Sequence, residues 1–240
     1  MDVSTYIALS GQLAREKQMD VLANNIANMS TPGFKAERMN FNEYLAAAVG
    51  SDPSSYVADA AHNRDMSQGP LSRTGNPLDL ALNGDGWLSV TTPDGNTSYT
   101  RSGHFQLDTA GELVTSSGGI LQGDGGAPIV VPLNAGEVTI APDGTVSTRQ
   151  GTIGHIPVVT FANEQAMTAE GSGLYTTTDA SQPILTTQIV QGSIEEANIQ
   201  PVLAMTRLMA TAQEMTMAKN FSDAENNRIE TAIQRLGKTV

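Results

Sequence analysis

Apolar residues recur at helical spacing near both ends of the chain and at strand spacing between them. From residue 4 to about residue 30 there is no proline, and the apolar residues stand three or four positions apart in two sets: Tyr6, Leu9, Leu13 and then Met19, Leu22, Ile26, Met29. This spacing predicts an amphipathic helix whose apolar stripe rotates between the two sets. The helix should end at Ser30-Thr31-Pro32-Gly33, because a proline ring disfavours helical geometry at the residue before it.

Between about residue 66 and residue 188 the pattern changes to short apolar or alternating runs. Such runs stand at 78–82, 87–90, 104–107, 129–131, 138–140 and 156–159. Segments rich in Gly, Asn and Asp separate them, for example 83–86 and 93–96, and these residues tolerate the backbone geometry of tight turns. The pattern predicts an all-β middle domain, either a sandwich or barrel-like.

A second helical pattern begins near residue 200 and continues to the end of the printed sequence. Positions 205, 208, 212, 215, 219, 222, 226, 229, 233 and 236 advance in threes and fours. They predict a coiled-coil seam that holds Met205, Leu208, Met215, Ile229 and Ile233 and is interrupted by polar residues such as Asn226. At about 1.5 Å per residue this helix would be roughly 50 Å long, so we expect it to need a partner helix.

These patterns predict an α+β chain with four segments. We expect an N-terminal rod-like helix with its following motif at 1–35, a linker at 36–65, the all-β middle domain at 66–188 and a C-terminal helix at 189–240. Since both ends are amphipathic, the N- and C-terminal helices should pair as a coiled-coil-like hairpin around the inserted middle domain.

The charge distribution argues against a nucleic-acid partner. The formal net charge is −12, and residues 66–188 hold eleven acidic and three basic residues. Such a surface would repel phosphates rather than neutralise them. The two ends are closer to balance, so they can pack against each other or against copies with little repulsion.

Neither catalytic nor metal-binding motifs stand out. The chain has no cysteine, which excludes disulfides and thiolate sites. His62, His104 and His155 form no metal-spaced pair, and Gly84-Asp85-Gly86 and residues 123–126 fit turns better than calcium loops. We therefore expect no catalytic residue, no cofactor and no metal.

No membrane segment or leader is predicted. No run approaches about 18 apolar residues, so we expect a protein that does not span a membrane. The first residues lack a basic region followed by an apolar one, so we expect no cleaved signal peptide.

Four blocks of sequence resemble the signatures of flagellar rod and hook proteins. Residues 23–35 (ANNIANMSTPGFK) resemble the pattern ANNxANxxTxGFK, and residues 191–198 (QGSIEEAN) resemble QGxLExSN, with Ala197 at the usual Ser position. Residues 76–87 and 99–105 resemble NPLDLAIxGxGFF and YTRxGxF. Together the blocks extend over nearly the whole chain.

The resemblance implies a non-enzymatic structural subunit of the flagellar basal-body rod. It is most similar to proximal rod proteins, with a distal rod protein as the alternative. It further implies export in unfolded form by the flagellar type III apparatus, a place in the rod that crosses the periplasm, and other rod proteins and copies of itself as partners. A surface adhesin or binding module is the alternative from another class, but it would leave both terminal helices without a role.

The assembly interface is expected on both helices and in two of the signature blocks. The asparagines of residues 23–35 either terminate the first helix or bond across subunits. Phe34 is either a local hydrophobic anchor or a side chain that plugs a contact between subunits. Glu195 and Asn198 either stabilise the N-terminus of the second helix, as a favourable charge and a cap, or contact a neighbouring subunit. The full predicted set is Leu9, Leu13, Leu22, Asn24, Asn25, Ile26, Asn28, Phe34, Glu195, Asn198, Met205, Leu208, Met215, Ile229 and Ile233.

Overall fold

The computed structural model describes residues 3–46, 54–132 and 134–236. The chain forms two compact units. The helical unit consists of Met1–Ala27, Glu37–Arg64 and Gln200–Val240, and the β unit consists of Asn28–Ala36 and Asp65–Ile199. Two terminal helices and many antiparallel strands between them confirm the predicted α+β class at this level.

The helical unit is built on helices α1 (Val3–Ala27) and α2 (Pro201–Leu236), which contact each other. Turns follow α1, so it ends slightly before the predicted residue 30. Pro201 opens α2 at a position where the missing N–H of proline is not needed. Coiled-coil pairing of the two helices remains a prediction.

The least exposed residues of α2 recur with heptad spacing. They are Ala204, Leu208, Thr211, Met215, Ala218, Ser222 and Glu225, with Ala212 beside Thr211, and we call these eight residues the covered face. The predicted seam shares Leu208, Ala212, Met215 and Ser222 with this face, but Met205, Lys219 and Asn226 are exposed. The prediction was therefore offset by one residue at these exposed positions. Small side chains on a covered face let a neighbouring backbone approach closely, and a pattern read from large apolar residues misses them.

Residues 36–65, predicted as a linker, instead contain two paired strands. β1 (Glu37–Ala46) and β2 (Ser54–Arg64) are antiparallel, and both contact α1. Their register shifts between Asn42 and Glu43. A shift of this kind interrupts the two-residue period that reveals a strand in a sequence, which explains why the hairpin was missed.

The β unit contains short strands throughout its described residues. They are β3 (Leu71–Arg73), β4 (Leu80–Asn83), β5 (Trp87–Thr91), β6 (Thr97–Thr100), β7 (Phe105–Leu107), β8 (Leu113–Thr115), β9 (Ile120–Leu121), β10 (Thr139–Ile140), β11 (Thr145–Thr148), β12 (Gly151–His155), β13 (Val158–Thr160), β14 (Thr168–Gly171), β15 (Leu174–Thr176), β16 (Gln182–Pro183), β17 (Gln188–Gln191) and β18 (Ser193–Glu195). The predicted run 129–131 forms only isolated bridges.

A large antiparallel sheet organises the β unit. Its strands follow the order β14-β15-β6-β5-β9-β8-β7, and β13 pairs with both β5 and β16. Strands β10, β11 and β12 form a smaller sheet, while β17 pairs with β4 and β18 pairs with β3. The last strands of the unit therefore lie beside the first ones, which brings distant parts of the sequence together.

The core of the β unit is apolar and closely covered. Its main cluster includes Leu80, Leu88, Val90, Phe105, Leu113, Leu121, Val146 and Ile156, all at most 1% exposed. A second cluster surrounds Trp87, whose ring meets that of Tyr175 edge to face at 5.0 Å. Whether the architecture is a sandwich or barrel-like remains a prediction.

Candidate functional site

The end of the N-terminal signature block and the C-terminal signature block lie side by side inside the β unit. The Gly33 N–H donates to the Glu195 carbonyl at 2.7 Å, and the Asn198 N–H donates to the Phe34 carbonyl at 3.3 Å. The strand β18, which ends at Glu195, is held in place by β3. We call the contact region between residues 33–36 and 195–198, with the side chains that surround it, the junction.

A buried charge cluster lies at the centre of the junction. The carboxylate of Glu195 accepts hydrogen bonds from Lys35 Nζ at 2.8 Å, from Arg101 Nη1 at 3.1 Å and from the Gly69 N–H at 3.0 Å. Glu195 and Lys35 are each 1% exposed, and Arg101 is 4% exposed. One carboxylate therefore faces two buried cations. Arg101 comes from the YTR block, so three of the four sequence blocks supply this cluster.

Backbone carbonyls take up further donors of the two cations. Lys35 Nζ also donates to the carbonyl of Ser67 at 2.9 Å, and Arg101 Nη1 to that of Gly84 at 2.9 Å. Burial lowers the pKa of Lys35 below 10.5, and the attraction of Glu195 opposes this effect. The Arg101 guanidinium also lies 5.8 Å from the centre of the Trp87 ring, within the range of a cation–π contact.

Gly33 is required where the N-terminal block passes the YTR block. Its φ is +70°, a left-handed conformation that other residues rarely adopt. A Cβ at this position would lie 2.4 Å from the backbone carbonyl carbon of Arg101. The close approach of the two backbones thus depends on the absence of a side chain.

Asn198 ties three backbone segments together within the β unit. Its Oδ1 accepts from the Ala36 N–H at 2.7 Å, and its Nδ2 donates to the carbonyls of Asp65 at 2.7 Å and Ser67 at 3.0 Å. The Asp65 N–H in turn donates to the Ala36 carbonyl at 2.8 Å. The interpretation of Asn198 and Glu195 as residues that favour the N-terminus of α2 is therefore wrong, because their side chains bind inside the junction.

Asn25 plays a comparable role in the helical unit. Its side chain is buried and exchanges two hydrogen bonds with Glu37, from Nδ2 to the carbonyl and from the N–H to Oδ1, both at 2.8 Å. The amide therefore holds the first residue of β1 against the last turns of α1. Asn28 Oδ1 accepts from Thr31 Oγ1 at 3.3 Å in the turn after the helix, and Asn24 is exposed.

The NPLDL block forms a second polar cluster in the β unit. Asp79, only 3% exposed, accepts from Thr74 Oγ1 at 2.6 Å and from Asn76 Nδ2 at 3.0 Å. Its carboxylate also lies 2.8 Å from Nδ1 of His104. These bonds fix the loop before β4.

The apolar residues of the predicted interface differ in exposure. Leu13 is 50% exposed, Met205 and Ile229 are 40% exposed and Ile233 is 64% exposed. Leu22, Ile26, Phe34, Leu208 and Met215 are half-buried within the chain, and the side chain of Leu9 lies outside the described residues.

A set of exposed apolar residues on α2 was missed by the sequence prediction. It consists of Val202 (80% exposed), Met209 (66%), Met217 (69%) and Phe221 (69%), and we call it the outer face. At 3.6 residues per turn these positions lie within about 120° of arc, opposite the covered face. The available signal was the presence of large apolar residues away from the predicted seam.

The second helix extends beyond the described part of the first. An ion pair between Arg15 and Glu214, at 3.4 Å, sets the two helices in register. α1 reaches twelve residues to either side of Arg15, whereas α2 continues twenty-two residues past Glu214. Whichever way the helices run, about ten residues of α2, or ~15 Å, lie past the described part of α1. Ile229 and Ile233 lie in this overhang.

The described residues form neither a metal-binding cluster nor a membrane-spanning helix. Within the described ranges, no group of three or more His, Asp or Glu side chains is arranged to hold a metal ion. Neither α1 nor α2, as far as they are described, is long and apolar enough to cross a membrane.

Comparison with known proteins gives consistent similarities. Residues 6–35 match the family described as "Flagella basal body rod protein", and residues 81–148 match "Flagellar hook protein FlgE/F/G D1 domain". The chain is 36% identical to the flagellar basal-body rod protein FlgF of Caulobacter vibrioides, with 99% of each chain covered. It is 32% identical to FlgF of Escherichia coli over 95% of this chain and 96% of the relative. It is also 32% identical to the rod protein FlgG of Buchnera aphidicola over 87% and 90%.

Proposed function

Because the chain belongs to the family of flagellar basal-body rod proteins, we propose that it joins the axial rod through the outer face and the overhang of α2. It is a structural subunit of the basal body and not an enzyme. The single observation that carries the proposal is the row of large apolar side chains left uncovered on α2.

The outer face offers enough apolar surface to support association. Burying one exposed side chain of this size contributes about 1.5–3 kcal/mol, so the four residues of the outer face contribute on the order of 6–12 kcal/mol. Association itself costs an estimated 4–15 kcal/mol. One such contact is therefore marginal, and stable incorporation requires contacts with several neighbours, as a tubular assembly provides.

Charge also favours the helical unit as the assembling part. It carries nine basic and eleven acidic residues, whereas the β unit carries four basic and fourteen acidic residues. Copies of the nearly balanced unit can approach each other without strong repulsion. Copies of the acidic unit repel, which makes the β unit the less suitable part for contacts between copies.

The junction serves this assembly by fixing the connections of the β unit. The chain passes between the two units four times. Asn198 binds Ala36 and Asp65, which are the β-unit residues at two of these connections, and it is itself close in sequence to the connection at 199–200. In this proposal the junction sets where the chain leaves the β unit, and the paired, coiled-coil-like helices supply the contacts. The predicted interface residues Leu13, Leu22, Ile26, Phe34 and Met215 keep that role as a proposal.

The FlgF relatives support a place in the proximal rod, and the FlgG relatives keep the distal rod as the alternative. Other rod proteins and further copies of the chain are the proposed partners. We further propose export by the flagellar type III apparatus and a position in the rod across the periplasm.

Neighbouring residues on α2 allow a matched test. Met209→Asp changes the outer face, Leu208→Asp changes the covered face, and Gln213→Asp places the same charge at an exposed polar position. We expect Met209→Asp to leave the isolated protein folded but absent from purified basal bodies, with loss of swimming. Leu208→Asp should reduce helix content of the isolated protein by circular dichroism, and Gln213→Asp should swim. Normal swimming of Met209→Asp combined with Met217→Asp would refute the proposal.

A further inference from the structure

The β unit has a half-open cleft whose lining includes none of the residues 33–36 and 195–198 of the junction. Its volume is about 540 Å³, within the size range of sites that receive small ligands or peptide side chains. Pro142, Pro157 and Ile184 contribute to its apolar lining, together with Leu185 on the rim. Leu185 is 94% exposed, more than any other large apolar side chain in the described residues.

Hydrogen bonds fix the walls of the cleft. The His155 ring lies 3.0 Å from Asp124 Oδ1 through Nδ1 and 2.8 Å from the Asp143 carbonyl through Nε2, so it bridges two loops. The Ile184 N–H donates to the Val158 carbonyl at 2.9 Å. Because the walls are tied in this way, an occupant does not have to order them on binding.

The cleft carries net negative charge. Asp124 and Asp143 line it, and no lysine or arginine stands among its lining residues. Hydrogen bonds from the N–H and hydroxyl of Thr145 lower the pKa of Asp143, so this carboxylate stays ionised. Burial of His155 lowers its pKa, but the bonds to Asp124 and to the Asp143 carbonyl outweigh burial and raise the pKa above 6.5. Even a charged His155 offsets only one of the two carboxylates.

We propose that this cleft receives an extended segment of a different rod subunit, one that presents an apolar side chain next to a lysine or arginine. The apolar side chain would cover Leu185 and the prolines, and the cation would face Asp124. A second β unit of the same chain fits poorly, because its surface is itself strongly acidic. This inference rests on the proposed function, since it places the partner in the same assembly.

The absence of cysteine in the chain makes a direct test possible. Leu185→Cys introduces a single thiol on the rim, and Leu107→Cys introduces one at another exposed leucine of the β unit outside the cleft. Both should react quickly with a maleimide in the isolated protein. In purified basal bodies, the Leu185→Cys thiol should react at least about tenfold more slowly than in the isolated protein, because reaction then requires the interface to open. The Leu107→Cys thiol should react faster than the Leu185→Cys thiol in the same basal bodies. Equal rates at the two positions in basal bodies, or protection of position 185 in the concentrated isolated protein, would overturn the inference.

The chemistry of the partner is tested by opposite charges at one position. Because Leu185 is almost fully exposed, Leu185→Glu and Leu185→Lys should both fold, which the fluorescence of the isolated proteins checks. A cationic partner predicts that Leu185→Glu is incorporated and swims better than Leu185→Lys. The reverse order would refute a cationic partner.

A thiol on the outer face separates this inference from the proposed function. Met209→Cys should be protected in the same basal bodies if α2 mediates assembly. Protection at 209 with full reactivity at 185 overturns the cleft inference alone. Full reactivity at both positions overturns the proposed function as well.

Discussion

Replacing Glu195 by glutamine should destabilise the β unit more than replacing Lys35 by methionine. Glutamine keeps the shape of the side chain and one carbonyl oxygen, so packing changes little. It removes the negative charge that both Lys35 and Arg101 face. Two buried cations would then lie close together without a counter-charge, and Arg101 would keep only its contacts with the Gly84 carbonyl and Trp87.

The expected loss follows from the distances. At about 4 Å and an effective dielectric constant of about 20, one ion pair gains roughly 4 kcal/mol. Both cations lie within 3.1 Å of a carboxylate oxygen, so each loses an attraction of this order, and partial deprotonation of Lys35 recovers some of it. Breaking buried pairs by removing one partner costs about 3–5 kcal/mol. We expect a loss of about 3–5 kcal/mol in the free energy of unfolding for Glu195→Gln.

Trp87 supplies the assay. It is the sole tryptophan of the chain and lies beside Arg101, so its fluorescence reports on the β unit and on the cluster itself. Urea unfolding of the full chain, followed at this residue, gives the free energy of unfolding for wild type and variants.

Lys35→Met is the matched control. It leaves a balanced pair between Glu195 and Arg101, so we expect a loss of only about 1–2 kcal/mol, because the loss of the Lys35 hydrogen bonds to Glu195 and to the Ser67 carbonyl is partly offset by easier burial. The asymmetry between the two variants is the test. If Glu195→Gln cost no more than Lys35→Met, the idea that one carboxylate compensates two cations would be refuted.

Three further predictions concern the junction and the helical unit. An alanine in the left-handed conformation costs roughly 1–2 kcal/mol. Gly33→Ala should lower the free energy of unfolding of the β unit by well over this amount, because its Cβ would also clash with Arg101. Gly95→Ala, at φ +82° with open space around it, should lower it only by about this amount, and urea unfolding measures both. Asn25→Ala should cost about 1–3 kcal/mol and speed hydrogen exchange of the Glu37 amide, since it removes both bonds to that residue. The pKa of Lys35 is lowered in the folded chain, so the unfolded chain binds more protons between that lowered pKa and 10.5. In this pH range the free energy of unfolding of the wild type, relative to that of Lys35→Met, should therefore rise with pH. Urea unfolding at neutral and alkaline pH measures the sign.

Local patterns predicted the elements whose stability is local. The runs at 87–90 and 104–107 correspond to β5 and β7, and the turn at 93–96 closes with a hydrogen bond from the Gly95 N–H to the Thr92 carbonyl. Both helices were located to within a few residues. In these cases a repeat of two or 3.6 residues, or a turn residue, directly reflects the structure.

Long-range pairings were not predictable in the same way. Lys35 and Glu195 are separated by 160 residues, and neither a period nor a local motif shows that they meet. A lysine and a glutamate in polar segments also give no sign that both will be buried. The hairpin of β1 and β2 was missed because of its register shift, and the covered face of α2 because alanine and threonine hold positions expected for larger residues.

The blocks that reveal the family therefore say more about the interior of one subunit than about its contacts with others. Lys35, Arg101, Glu195 and Asn198 all belong to such blocks, and their polar atoms bind within the junction. The outer face that we propose for assembly consists instead of ordinary apolar residues on α2, such as Met209, which no signature marks. A rod subunit needs both features for different reasons. The junction must form the same way in every copy, which requires specific charged and amide side chains, whereas a helix face that meets several neighbours requires only apolar surface at the right spacing. For this reason, substitutions in the signature blocks should act first on the stability of the isolated chain, and substitutions on the outer face should act first on incorporation.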